Sequence, residues 1–244
     1  MILKKSNKNT LEPAGDKWIE IAFPVVTASI VSVIIIPGLF LQLTEKFHIN
    51  LSGLFRIAFS MISAQALLII PLLAVALLTS GNAGLRDKLG LINWKKSYLT
   101  EACYCELLLI FPLWIIAAAM FFLVSYFGFD TTSPIISLLN SASKSGKFLI
   151  FTISVFVAPI VEEIVFRRVI FTFINRLFGV IPGLLITSFV FSILHGGIVQ
   201  IVPLMILGIV LQVLYLKHKS LYPSVLLHLI HNFLIMSIFL TLEV

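Results

Sequence analysis

The sequence predicts an all-α fold: a polytopic membrane helical bundle of about seven transmembrane helices, forming one integral membrane domain over 1–244. Three observations predict it. First, 59% of the residues are hydrophobic, only 11% are charged and the mean hydropathy is +1.10, far outside the range of soluble globular domains. Second, apolar runs of the ~20 residues that a helix needs to cross a bilayer recur along the chain. Third, the connections between those runs alternate in positive charge. Lys4, Lys5, Lys8, Lys17, Arg86, Lys88, Lys95, Lys96, Arg167, Arg168, Arg176, Lys217 and Lys219 fall on one side, 13 of the 17 Lys and Arg, whereas Lys46, Arg56, Lys144 and Lys147 fall on the other. By the positive-inside rule the N terminus is expected in the cytoplasm and the C terminus outside.

Taken in order, residues 18–43 follow a polar, lysine-bearing start. They are too long for the core of a cleavable signal peptide and lack a small-residue cleavage site, so they read as the first span. Residues 54–80 and 102–127 are the second and third. Cys103 and Cys105, two apart in the third, have neither a disulfide nor a metal spacing and read as inert helix residues. The connection GNAGLRDKLGLINWKKS, within 81–99, is basic and amphipathic; it is expected either on the inner lipid surface or as an ordinary solvated loop. After a second long connection at 128–147 come 148–166, 180–196, 198–216 and 221–242. The net charge of +6 is spread between these apolar blocks rather than gathered with aromatics on one surface, so no nucleic-acid partner is expected.

Ionisable side chains inside spans are costly, so those present are paired or functional. PIVEEIVFRRVIF, residues 159–171, holds four charges. Glu163 and Arg167 are four apart and share a helix face, while Glu162 points about 100° from Glu163. Glu163 can therefore be neutralised within its own helix, leaving Glu162 to face other spans, with Arg168 a charge at the boundary. FSILH puts Phe191 and His195 on one face just before a Gly-Gly break. HLIHN puts His228 and Asn232 on one face, with His231 about 60° away. Polar groups on three helices can thus face one centre.

These residues resemble the CAAX protease and bacteriocin-processing (CPBP, or Abi) family of intramembrane endopeptidases, which includes the type II CAAX prenyl endopeptidases. Its motifs EExxxR, FxxxH and HxxxN read here, in order, as Glu162, Glu163 and Arg167; Phe191 and His195; and His228 and Asn232, within about 148–240. The resemblance implies an endopeptidase acting on a membrane-associated or lipidated peptide, with membrane lipids as its surroundings. The short chain suggests a bacterial plasma membrane, and hence maturation of a peptide pheromone or bacteriocin. A non-catalytic self-immunity or scaffold protein of the same fold is the alternative. A transporter would favour interrupted helices in paired halves, which the sequence lacks.

Peptide hydrolysis needs a base for water, a donor for the oxyanion and a proton for the leaving amine. Glu162 and His195 can activate water, and His228 and Asn232 can donate to the oxyanion. The rival chemistry uses Glu162, His195 and His228 as zinc ligands with an open position. No cofactor is favoured, zinc remains the alternative, and Glu163 and Arg167 are organisers, Arg167 otherwise meeting a substrate carboxylate. One tension accompanies these assignments. With the fourth span starting at Phe148 and the fifth at Pro182, Glu162 and His195 would differ in depth by ~12 Å in a ~30 Å core. Either the fourth helix continues well past Arg168 or the fifth starts below the membrane surface.

Overall fold

The structure is a computed structural model that describes residues 17–49, 51–79, 84–195 and 197–242. Lys4, Lys5 and Lys8, the start of the 81–99 connection and Gly196 of the Gly-Gly pair lie outside the described residues. Among the described residues all regular structure is helical. Helices α1 (Lys17–Lys46) and α2 (Gly53–Leu78) pack against each other, α2 beginning on the Ser52 side chain, which accepts a hydrogen bond from the Phe55 N–H. A single turn, α3 (Leu85–Lys88), leads into α4 (Ser97–Tyr126), and α5 (Pro134–Ser141) lies in the next connection. The long helix α6 (Lys144–Phe178) contains two π-helical stretches, Ile153–Val157 and Ile164–Phe171. It is followed by α7 (Val180–Ile193), α8 (Ile201–His218) and α9 (Tyr222–Leu242).

Six of these helices, α1, α2, α4, α6, α8 and α9, are long and apolar enough to cross a membrane, and α7 is a shorter apolar helix. The main correction to the expected boundaries concerns the fourth span, which runs to Phe178 rather than ending near residue 166. The charges of Glu163, Arg167 and Arg168 look like a membrane boundary in a hydropathy profile. In the fold the first two lie at 0% and 1% exposure, paired with each other inside the protein, so the helix need not stop for them. Accordingly half of the apolar window of α6 is buried, 50% against 11–33% for the other crossing helices, which makes it the central element.

That extension also removes the depth mismatch. The chain reverses at Gly179, whose φ of +87° is a conformation favouring glycine, and α7 packs back along the end of α6. At ~1.5 Å per residue, Glu162 lies ~24 Å from the Phe178 end and His195 ~22 Å from Val180, so the two reach the same level. Helix α8 then returns along α7, with Gly208 so close that a Cβ there would sit 3.1 Å from that of Ser188.

One apolar cluster joins α1, α2, α6 and α7 through Ile19, Leu72, Val165, Val169 and Phe191, and a second joins α4, α8 and α9 through Leu113, Leu207, Leu211 and Leu227. The basic connections meet at one end of the bundle. Arg176 approaches Glu20 at 3.9 Å, Lys217 pairs with Glu101 at 2.7 Å, and the Arg168 Nε–H donates to the Lys88 carbonyl at 2.6 Å. The described part of the 81–99 connection belongs to this end as a folded clasp. Lys88 turns inward, its Nζ donating to the Ala76 and Thr79 carbonyls at 2.7 Å each, where α2 runs out of its own donors. The Leu221 N–H donates to the Gly90 carbonyl, fastening the clasp to the start of α9.

Candidate active site

The two neighbouring glutamates of α6 have different surroundings because they point in different directions from the helix. Glu163 is fully buried between two cations or donors: Arg167 Nε lies 3.1 Å from its Oε2 and His228 Nδ1 lies 2.9 Å from its Oε1. The Arg167 guanidinium also lies 4.5 Å over the Phe191 ring, so its second neighbour is an aromatic face rather than a carboxylate. Glu162 instead borders a cavity. Its Oε2 is buried and has no hydrogen-bond partner among the described residues. That oxygen lies 3.7 Å from His195 Nε2 and 3.7 Å from His228 Nε2.

Both imidazoles are oriented from behind. His195 Nδ1 is 2.7 Å from the Phe191 carbonyl, an acceptor, so Nδ1 carries the proton and Nε2 is the acceptor when the ring is neutral. His228 Nδ1 is held in the same way by the Glu163 carboxylate. Phe191 packs between these groups, its ring centroid 4.5 Å from that of His195 and 5.7 Å from that of His228. This gives the FxxxH spacing a physical content: the phenylalanine carbonyl fixes the histidine tautomer while its ring fixes the plane and supports Arg167. At 3.7 Å the two Nε2 atoms are beyond direct hydrogen bonding to Glu162.

Asn232 is placed by a device in the α6 backbone. In the first π-helical stretch the Ala158 N–H bonds to the Ile153 carbonyl, so the next carbonyl, that of Ser154, would meet the nitrogen of Pro159. Proline has no N–H. The Ser154 carbonyl is therefore left without a donor in its own helix, and Asn232 Nδ2 donates to it at 2.8 Å, tying α9 to α6. One amide proton of Asn232 is engaged there and the other remains for a different acceptor.

The structure thus gathers Glu162, Glu163, Arg167, His195 and His228 by direct contact and sets Asn232 beside them on α9, held to Ser154. His231, the remaining polar group of HLIHN, turns to α4, where its Nδ1 lies 3.0 Å from the buried Glu106. Sequence reasoning missed Glu106, although a lone carboxylate in the third span was a signal for it. It also missed Gln65 on α2, which lines the cavity of about 200 Å³ that Glu162 and His195 border; the other lining residues, from α1, α2, α6 and α7, are apolar. No group of three or more His, Cys, Asp or Glu side chains among the described residues has the geometry of a metal site.

Comparison with known families matches residues 144–234 to the family model described as type II CAAX prenyl endopeptidase Rce1-like. The matched segment starts with α6 and includes every motif residue named above. No curated protein and no solved structure matches the chain.

Proposed function

We propose, from the premise that residues 144–234 form an Rce1-like CAAX endopeptidase domain, that this chain is an intramembrane endopeptidase hydrolysing a peptide bond in a membrane-associated or lipid-modified peptide or protein. The observation that carries this reading is the unpartnered Glu162 Oε2, set 3.7 Å from two Nε2 atoms whose rings are each anchored through Nδ1.

Water held between Glu162 and His195 gives a proton to the Glu162 carboxylate as its oxygen attacks the substrate carbonyl carbon. His228, held by Glu163 through Nδ1, presents Nε2 to the oxyanion, and Asn232 donates its remaining amide proton. The C–N bond then breaks, Glu162 returns its proton to the departing nitrogen, and a carboxylic acid and an amine result. A positioned base of this kind contributes ~10²–10⁴-fold, and an oxyanion donor ~10²–10³-fold, because the groups are already in place when charge develops. Glu163 and Arg167 position His228 and touch no reacting atom.

The substrate class we favour is a peptide pheromone or bacteriocin precursor in a bacterial plasma membrane. Mass spectrometry of membrane peptides from cells carrying the wild type or the Glu162→Gln variant tests it: a peptide cleaved only with the wild type names the substrate, and identical peptide sets refute the reading. Metal dependence is tested on the purified protein. Turnover is expected to survive exhaustive chelation; loss of turnover with recovery on adding zinc would replace this route by one in which Glu162, His195 and His228 hold the ion.

A further inference from the structure

We propose that Gln65, on α2 and outside the segment matched to the endopeptidase family, is a substrate-binding residue that holds the peptide backbone in the cavity beside Glu162. The inference rests on the peptidase reading for the class of ligand but not for catalysis. The cavity is lined by Ile34 of α1, Gln65 and Leu68 of α2, Glu162 and Phe166 of α6, and His195 at the end of α7, together with other apolar residues. Glu162 and His195 are assigned to the reaction, which leaves Gln65 as the one further polar side chain in that lining among the described residues.

Its Oε1 is buried and has no hydrogen-bond partner among the described residues. Leaving an amide oxygen in that condition is unfavourable, and in a bilayer no bulk water offsets it. A glutamine that served to join helices would bond across a helix interface, as Asn232 does to Ser154. Gln65 Oε1 makes no such bond; it waits for a partner that comes from outside the fold. A carboxamide presents one acceptor and a donor pair side by side, which complements the N–H and C=O of a peptide unit. The surrounding wall is apolar and suits side chains, so a polar contact at this position recognises the main chain. With Glu162 lining the same cavity, a peptide held by Gln65 has its neighbouring carbonyl within the reach of the reacting water.

The test uses the full chain in lipid nanodiscs and, as the probe, a farnesylated fluorescent peptide, with a set of analogues N-methylated at one backbone amide at a time. Binding is measured in the Glu162→Gln background and turnover in the wild-type background. Gln65→Leu is expected to raise Kd and KM about tenfold with kcat nearly unchanged, the pattern of an interaction made equally in ground and transition states. One N-methylated analogue should bind the Gln65-containing protein about tenfold more weakly and lose nothing further with Gln65→Leu. Thermal stability should hold or rise, because an unpartnered polar group has been removed; a structural role would lower it. Gln65→Asn, which keeps the amide on a shorter arm, should give a smaller loss and guards against a folding defect. Cleavage with an unchanged KM in Gln65→Leu, or losses that multiply for every analogue, would overturn this assignment and leave the peptidase reading standing. Gln65-dependent binding without cleavage by any form would keep the assignment and overturn the proteolysis. Absence of binding by every form would overturn both.

Discussion

At the scale of single residues, adjacent glutamates meet unlike surroundings because a helix turns them apart. Glu163 lies at 0% exposure with Arg167 at 3.1 Å and His228 at 2.9 Å, whereas Glu162 lines the cavity with the two imidazole Nε2 atoms at 3.7 Å. The first consequence concerns stability. Arg167→Met removes the cation beside a buried carboxylate, and breaking a buried pair from one side costs about 3–5 kcal/mol, so a clear fall in the unfolding temperature is expected in detergent. An unfolding temperature equal to that of the wild type would show that Glu163 does not depend on Arg167. The motif residues were legible in the sequence because ionisable groups stand out in apolar runs and helical spacing tells which of them share a face. Spacing within one helix cannot show a partner on another, which is why the Glu106–His231 pair at 3.0 Å went unread. Gln65 escaped for a different reason: it is uncharged and passes through a hydropathy window unnoticed.

Among the elements, α6 does the most to place the site, and its bounds were the least legible. A buried ion pair and a membrane boundary look alike in sequence; only the neighbouring helices distinguish them. Pro159 was equally opaque. Its missing N–H, combined with the π-helical stretch at Ile153–Val157, leaves the Ser154 carbonyl to Asn232, a tie that needs the tertiary fold to be seen. Pro159→Ala restores a backbone donor that competes for the Ser154 carbonyl. Asn232→Ala is expected to lower kcat by ~10²-fold with little change in KM, as for a donor used mainly in the transition state. Pro159→Ala should lower kcat in the same sense by freeing that amide, and the double variant should be no slower than Asn232→Ala alone. Steady-state kinetics of the three variants decide this: multiplied losses would mean that Pro159 and Asn232 act separately.

The whole molecule is a bundle with chemically distinct ends. Lys88, Arg168, Arg176 and Lys217 meet at one end through their contacts with α1, α2, α3 and α4, while Arg56 of α2 pairs with Glu45 of α1 at the other. The charge alternation was readable from sequence, and this gathering is its three-dimensional counterpart. In a chain with Cys103 and Cys105 replaced, Lys95→Cys should react with an impermeant thiol reagent only from the cytoplasmic side and Phe129→Cys only from the opposite side; both positions are exposed. Reversed labelling would invert the orientation. The central claim, that Glu162 activates water within this bundle, is tested most directly by product analysis of the precursor peptide identified by mass spectrometry, incubated with the purified chain in nanodiscs. The wild type is expected to yield the two hydrolysis products, and Glu162→Gln to bind the peptide while cleaving it at least ~10²-fold more slowly; cleavage by Glu162→Gln at the wild-type rate would contradict the account.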